Sequence, residues 1–236
     1  MRDPSGVWLL CLLLTGVVVL ALVQRHHVTR VRADRRALFE DCSGLLDDPR
    51  VIARGLDFPL LTGRREGHDV RLQPVVDTLS MRTLPVLWLV VTVRGPHAAT
   101  GRLSVLARAC GTEFYARHDE AGAMVPMGPG WPGELAVRAD GMDAAQRQPE
   151  LLHRIRDFMA EDRVKQVVVG PASVRVVWRC ATAESGTYRV TRRVDLTRAR
   201  VDAPALAAVL DTIEELLACR GSGADPEVAG RGGAAR

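Results

Sequence analysis

Lysine and aromatic residues are both scarce in this chain of 236 residues. Lys165 is the one lysine among 32 basic residues, and phenylalanine, tryptophan and tyrosine together make up 4% of the chain. The basic surface is therefore built from arginine. The few aromatic residues are not interleaved with those arginines, as they are in proteins that bind single-stranded nucleic acid.

Outside one short segment the chain also lacks net charge. The formal net charge is +4 and the pI is about 9.1. Residues 25–36 account for this excess, since they hold five arginines and one acid, Asp34. The remainder is neutral overall and has no net field to attract phosphates, so we expect no nucleic acid among the partners.

Recognisable catalytic motifs are missing. The chain contains no G-x-S-x-G and no glycine-rich loop followed by Lys-Ser/Thr. Ser80 and Ser104 stand in strand-like contexts, where we expect no nearby histidine, and Cys110 is more typical of a buried thiol than of a nucleophile. The loop sequence His118-Asp119-Glu120 cannot turn three neighbouring side chains onto one ion from an extended backbone. We expect no metal, cofactor or identifiable small-molecule ligand, and a tethered enzyme with an unrecognised site remains an alternative.

Cysteine pairs at metal or redox spacing are absent as well. One cysteine, Cys11, lies in the first apolar run, and four follow it: Cys42, Cys110, Cys180 and Cys219. Their separations of roughly 70, 70 and 40 residues fit no zinc or C-x-x-C template. We expect free thiols in a reducing compartment, whereas four cysteines in an oxidising one would permit two disulfides.

The longest apolar run lies near the start of the sequence. Val7 to Val23 reads VWLLCLLLTGVVVLALV and contains no charged residue. At about 1.5 Å per residue, a helix of this length reaches roughly 25 Å, which is within the range of a membrane span. A cleaved signal peptide is the alternative, but the run ends in LALVQRHH, which is a poor cleavage site. We therefore predict a transmembrane anchor over residues 1–24 that contacts the lipid bilayer through Val7 to Val23.

A basic segment follows this run. Its arginines are Arg25, Arg30, Arg32, Arg35 and Arg36. Positive charge beside a span is retained in the cytoplasm, which predicts a single-pass plasma (inner) membrane protein with its N-terminus outside and its C-terminal domain inside. The same arginines are candidate contacts for anionic lipid head groups. A domain that faces outward from the cell envelope is the alternative.

The pattern from Ala33 to Gly55 predicts two helices that connect the anchor to the folded body. The first has an apolar stripe that includes Leu38, Cys42 and Leu45. The second is the short segment DPRVIARGL, with Asp47 or Asp48 as its N-cap and Pro49 in its first turn. Residues 25–55 thus form a juxtamembrane segment and helical connector.

Strands dominate the next part of the chain. We expect a hairpin from residues 58–62 and 69–73, whose tip holds Arg64, Arg65 and His68 as a possible anion contact. Residues 84–93, LPVLWLVVTV, predict a central strand buried on both faces, with residues 102–109 as its antiparallel neighbour. Residues 112–117 predict a further strand.

Residues 118–133, HDEAGAMVPMGPGWPG, predict an exposed loop because glycine and proline interrupt any long helix or central strand. Trp131 either packs back over the sheet edge or forms a contact surface. Together with Met124 and Met127, it is our candidate contact for a partner protein.

The last part predicts helices and strands in alternation. A short strand is expected over 135–138, an amphipathic helix from Gln148, and three strands over 164–169, 174–181 and 187–194, the last two forming a hairpin. Asp202 caps a final helix with Pro204 in its first turn. Residues 221–236 have almost nothing to bury, which predicts a disordered tail.

This order of elements predicts an α+β fold: an antiparallel sheet with helices packed on one side, following one transmembrane helix. The soluble domain is expected over 56–220. LPVLWLVVTV and SVRVVWRCAT resemble one another, which suggests two similar halves over 56–140 and 148–220. The functional hypothesis is a membrane-anchored cytoplasmic domain that binds another protein through a sheet edge or the Trp131 loop.

Overall fold

In a computed structural model, the chain combines one long apolar helix with an antiparallel sheet and two further helices. The structure describes residues 4–78, 84–96, 101–109, 111–116, 118–126, 131, 134–140, 149–183, 196 and 198–219. The predicted strand over 187–194, its hairpin with the preceding strand, and the predicted tail over 221–236 lie outside the described residues.

The N-terminal region forms one continuous helix, α1 (Pro4–Arg36). It contains a segment that is long and apolar enough to cross a membrane, and the window that meets this test is not buried against the rest of the protein. A 3-10 helix (Ala37–Leu45) follows at once and buries Leu38, Phe39 and Cys42. The basic segment is therefore the helical continuation of the apolar run.

The second predicted connector helix is wrong, because Asp47–Ile52 forms the first strand, β1. Asp48 has a φ of 48°, and the register shifts between Asp47 and Arg50. Pro49 lacks the N–H that a central strand would need, but an edge strand tolerates it. Arg50, Val51 and Ile52 then pair with β2, so sheet pairing prevails over the capping pattern.

The other strands continue the sheet. Their bounds are β2 (Leu60–Arg65), β3 (His68–Asp77), β4 (Val86–Arg94), β5 (Leu103–Ala107), β6 (Ala123–Met124), β7 (Leu135–Ala139), β8 (Val164–Gly170) and β9 (Ser173–Thr182). Among the described residues the order is β1-β2-β3-β4-β9-β8-β5-β7-β6, and neighbouring strands are antiparallel. The predicted β2–β3 hairpin and the central position of β4 match this arrangement.

Two strand predictions are corrected. β5 pairs with β7 and β8 instead of β4, because the β8–β9 hairpin lies between them. Apolar alternation shows that a strand is half buried but does not say which partner it has. The strand predicted over 112–117 does not form in its described part, residues 112–116: residues 114–116 form a turn that packs on the sheet.

Both further helices pack on the same face of the sheet. They are α2 (Pro149–Met159) and α3 (Ala203–Ala218), and Asp202 caps α3 by accepting a hydrogen bond from Ala205 N. Ile155, Leu210 and Ile213 are buried in one core cluster with Leu72, Leu89 and other residues of β3 and β4. The predicted stripes of both helices are therefore the stripes that meet the sheet.

The loop over 118–133, which we predicted to be exposed, is partly buried at its start. Ala121 and Val125 are buried, and β6 pairs with β7. A Cβ on Gly122 would lie 2.5 Å from the Ala139 carbonyl oxygen, so only glycine permits this approach. The Asp140 carboxylate accepts hydrogen bonds from Gly122 N and Arg102 N, both at 2.9 Å, which fixes the segment against β5 and β7.

Candidate functional site

The sheet face opposite the helices carries a groove of about 580 Å³. Cross-strand pairs place its floor residues in rows: Arg71 of β3 faces Thr92 of β4, and Thr92 faces Arg175 of β9. Arg94 lies two positions along β4 from Thr92, on the same face, because side chains alternate along a strand. Three arginines from three neighbouring strands therefore surround Thr92.

A fourth arginine, Arg102, lines the groove together with one carboxylate, Glu120. Arg102 Nη1 lies 3.1 Å from Glu120 Oε2, so this pair is internally balanced. Arg71 is exposed and donates to Gln73 Oε1 at 3.2 Å. Arg94 is exposed, and its guanidinium forms no hydrogen bond or ion pair with any residue that the structure describes. Arg71 and Arg94 are thus the two exposed arginines of the groove, and neither forms an ion pair within the described chain.

A buried polar network lies beside the groove. Gln166 has no exposed surface; it donates from Nε2 to Ser104 Oγ at 3.0 Å and accepts from Arg175 Nη1 at 3.3 Å. Arg175 also donates to the backbone carbonyls of Ala116 (3.3 Å) and Tyr115. Arg175 therefore fixes the 114–116 turn on the open face, in addition to lining the groove.

Aromatic packing holds the same turn. Tyr115 stacks against Trp88 with ring centroids 5.5 Å apart and meets Phe114 edge-on at 5.3 Å. Trp88, Tyr115 and Val177 belong to a second, smaller core cluster on the open face. Phe114 remains 56% exposed at the side of the groove. The turn therefore covers part of the open face and forms one wall of the groove.

A buried ion pair joins Glu113, the residue before this turn, to strand β8. Lys165 Nζ lies 2.9 Å from Glu113 Oε1, with the two side chains 7% and 6% exposed, and donates to the Arg108 carbonyl at 2.7 Å. The one lysine of the chain is therefore structural. A register shift between Val164 and Gln166 accompanies its position in β8.

Ser104 and His118 come together although they are distant in the sequence pattern. Ser104 Oγ lies 2.9 Å from His118 Nδ1, so the expectation that this serine has no nearby histidine is wrong. Sequence spacing missed the pair because β5 and the 3-10 helix His118–Glu120 meet only in the tertiary fold. Ser104 is fully buried and its oxygen also accepts from Gln166. A substrate carbonyl cannot reach that oxygen, so the pair acts in packing.

The predicted partner-contact residues do not form one surface in the described chain. Trp131 is half-buried and packs against the main core, whereas Met124 is 60% exposed on the edge strand β6. Met127 lies outside the described residues, as does Cys110. A contact role for Trp131, Met124 and Met127 stays a prediction.

The juxtamembrane arginines lie on the last turns of α1. Arg25, Arg30, Arg32 and Arg36 are exposed. Arg35 is half-buried: its Nη1 donates to the Leu56 carbonyl, and its guanidinium lies 5.0 Å from the centre of the Phe58 ring. Arg35 therefore attaches the end of α1 to the folded domain.

The hairpin tip does not bring its three basic residues to one anion. Arg64 Nε lies 3.5 Å from Asp69, while Arg65 contacts Asp211 at 2.5 Å and Glu214 at 3.1 Å on α3. Burial raises the pKa of Glu214 above its ordinary value, and the nearby Arg65 opposes that shift. His68 instead lies against Gly95, where an added Cβ would be 2.5 Å from its Nδ1. Arg65 thus joins the sheet to α3.

Cys11, Cys42, Cys180 and Cys219 are free thiols in the structure. Cys42 and Cys180 approach the neighbouring carbonyls of Val201 (3.7 Å) and Arg200 (3.8 Å). Burial raises the pKa of Cys42 to about 11 and that of Cys180 to about 12, so both stay protonated near neutral pH. Within the described residues, no group of three or more histidine, cysteine, aspartate or glutamate side chains could hold a metal ion.

No family model, curated protein or solved structure matches this chain.

Proposed function

We propose that this protein is a single-pass membrane-anchored protein whose α+β domain binds another protein in the cytoplasm. The observation that carries the proposal is the asymmetry of the sheet. Its helix-covered face forms the main core, whereas the opposite face holds an open groove with exposed Arg71, Arg94 and Phe114. Surface of this composition is common in interfaces, where arginine and aromatic side chains are enriched.

Membrane attachment rests on α1. Its 33 residues correspond to about 50 Å of helix, of which Val7 to Val23 takes about 25 Å. The remaining Gln24–Arg36 segment forms a helical stalk of roughly 20 Å that joins the domain without a flexible linker. The folded domain is thereby held close to the bilayer surface.

Orientation and lipid contact follow from the arginines of the stalk. Positive charge at this end of the helix favours a cytoplasmic domain and an outer N-terminus. Head groups extend about 5–8 Å beyond the hydrocarbon core on each side, so an upright stalk places Arg25 at that level and Arg36 well above it. Lipid binding by the stalk would then depend mainly on Arg25, because Arg30 lies about 10 Å beyond Val23.

Site-specific photocrosslinking in the cells that make the protein tests the proposal. A photoreactive phenylalanine analogue replaces Phe114 or Arg94 at the groove, and His153 on α2 serves as the control because its side chain is equally open to solvent. We expect discrete adducts with another protein from the groove positions of the full chain, and weaker or absent adducts from His153.

Equal adduct yields at all three positions, or none from the groove, would contradict the proposed interaction module. Thermal unfolding of each variant in detergent confirms beforehand that the photoreactive residue leaves the domain folded.

A further inference from the structure

We infer that the open-face groove binds an acidic, extended segment of the partner protein, with Arg71 and Arg94 as its principal contacts; this inference rests on the proposed function. Of the segment's side chains that face the groove, those over Thr92 would be aspartate or glutamate, and those over Val90 would be apolar. The carboxylates would contact Arg71 and Arg94, and the apolar side chains would contact Val75, Val90 and Phe114.

Charge on this face is unbalanced. Three adjoining depressions share residues: Arg71 and Arg94 line both the groove and a depression of about 400 Å³, while Gln73, Val75 and Phe114 line both the groove and one of about 520 Å³. Together they are lined by eight arginines and four carboxylates. Seven of these arginines, all but Arg35, come from the part of the chain outside residues 25–36, which is neutral overall, so positive charge is concentrated around these depressions.

None of the four carboxylates forms an ion pair with Arg71 or Arg94 in the described chain. Asp69 lies opposite Arg94 across the β3–β4 ladder, but its carboxylate contacts Arg64 at 3.5 Å. Glu120 contacts Arg102 at 3.1 Å. The two others, Asp48 and Asp57, line the outer depressions. Arg71 and Arg94, which line both the groove and the depression of about 400 Å³, are therefore available to carboxylates of another molecule.

The placement of the arginines favours an extended chain over a compact anion. Arg71 and Arg175 are separated by two strand spacings, about 10 Å, with Thr92 between them. Arg175 is turned toward the Tyr115 and Ala116 carbonyls and Gln166, so the guanidinium groups do not converge on one point. A single phosphate would meet one arginine at a time, whereas a peptide places successive carboxylates about 7 Å apart on one side.

The apolar part of the groove lies on the other side of Thr92 from Arg94. Val90 is two residues before Thr92 on β4 and faces Gln73 of β3, Val75 is two residues after Gln73, and exposed Phe114 stands at the wall. The apolar part of the segment would be buried against this strip. The contacts to arginine would then be made in partly desolvated surroundings, where charge-assisted hydrogen bonds are stronger.

Fluorescence anisotropy tests the inference with the full chain in uncharged nanodiscs. The probe is a labelled ten-residue peptide with glutamate at positions 1, 3 and 5, valine at positions 7 and 9, and serine at the even positions, and the matched peptide has glutamine for glutamate. The groove variant combines Arg71→Gln and Arg94→Gln. The control variant combines Arg156→Gln and Arg198→Gln, which removes the same charge from residues outside the three depressions.

We expect the glutamate peptide to bind and the glutamine peptide to bind at least tenfold more weakly. The groove variant should raise the Kd by about tenfold, and the control variant by less than twofold. High salt should weaken binding to the unmodified chain and have less effect on the groove variant.

Equal loss in both double variants would mean diffuse attraction and would overturn the inference. So would displacement of the peptide by inorganic phosphate or a short single-stranded DNA at lower concentration than unlabelled peptide. If the peptide does not bind but Phe114 still forms adducts with another protein, the inferred acidic segment is overturned and the proposed function is not. If neither peptide binding nor adducts are observed, the proposed function is overturned too.

Discussion

At the scale of single residues, the open face is organised by polar side chains that are buried rather than exposed. Gln166 connects Ser104 to Arg175, and Lys165 pairs with Glu113 beneath the turn that walls the groove. Each of these groups has a partner within hydrogen-bonding distance, which offsets the cost of removing it from water. The shape of the groove therefore depends on these contacts as much as on its own arginines.

The Lys165–Glu113 pair gives a stability prediction. Glu113→Gln leaves the Lys165 ammonium buried beside a neutral amide, and we expect the free energy of unfolding to fall by about 3 kcal/mol. Urea titration of the full chain in detergent, followed by tryptophan fluorescence, measures the change.

A matched double variant separates the charge from the packing. Glu113→Leu combined with Lys165→Met removes both charges, and we expect most of the lost stability to return because no charge is left buried alone. A double variant as unstable as Glu113→Gln would show that the pair is not the source of the loss.

At the scale of elements, the helices agree with the predictions from local sequence more closely than the strands do. α3 begins where Asp202 and Pro204 indicate and buries the stripe that its spacing predicts. β1 does not follow its local pattern. The segment that we predicted as a capped helix start is an edge strand, because Arg50, Val51 and Ile52 pair with β2. A helix satisfies its own backbone, whereas a strand depends on a neighbour elsewhere in the chain.

The cap of α3 is a prediction at this scale. Asp202→Ala removes the acceptor for Ala205 N, and the free energy of unfolding should fall by about 1 kcal/mol. Asp202→Asn keeps an acceptor at the same place and should change it by less than half as much. Thermal unfolding of both variants checks this; equal losses would argue against a capping role.

At the scale of the whole molecule, side-chain contacts attach the end of α1 to the folded domain. Arg35 contacts Leu56 and Phe58, and Arg200 donates a hydrogen bond to the Asp34 carbonyl at 3.4 Å. In the proposed membrane-anchored arrangement, these contacts would set the angle between the open face and the bilayer.

Topology is the prediction at this scale. A fluorescent protein fused after Arg236 should be bright, and alkaline phosphatase fused there should be inactive, because we expect the C-terminus in the cytoplasm. Replacing Arg25, Arg30 and Arg32 with glutamine should raise phosphatase activity, whereas Arg156→Gln should not. Active phosphatase on the unmodified chain, or a mature N-terminus beyond Val23, would contradict the orientation or the anchor.

The sequence by itself determined the apolar helix, the two packed helices, the β2–β3 hairpin and the central strand, because each is encoded by spacing within one segment. Charge counting along the chain also located the basic stalk. The order of the strands could not be predicted from the sequence. The β8–β9 hairpin separates β4 from β5, and the alternation of apolar and polar residues in a strand is the same whichever strand it pairs with.

Only the tertiary structure decided where the candidate site lies. Arg71, Arg94 and Arg175 come from three strands, and Ser104 meets His118 only when β5 and a later turn pack together. Register brings these residues onto one face, and register is set by pairing between segments that are far apart in the chain. A sequence whose folded part is neutral on average can for that reason present a strongly basic groove.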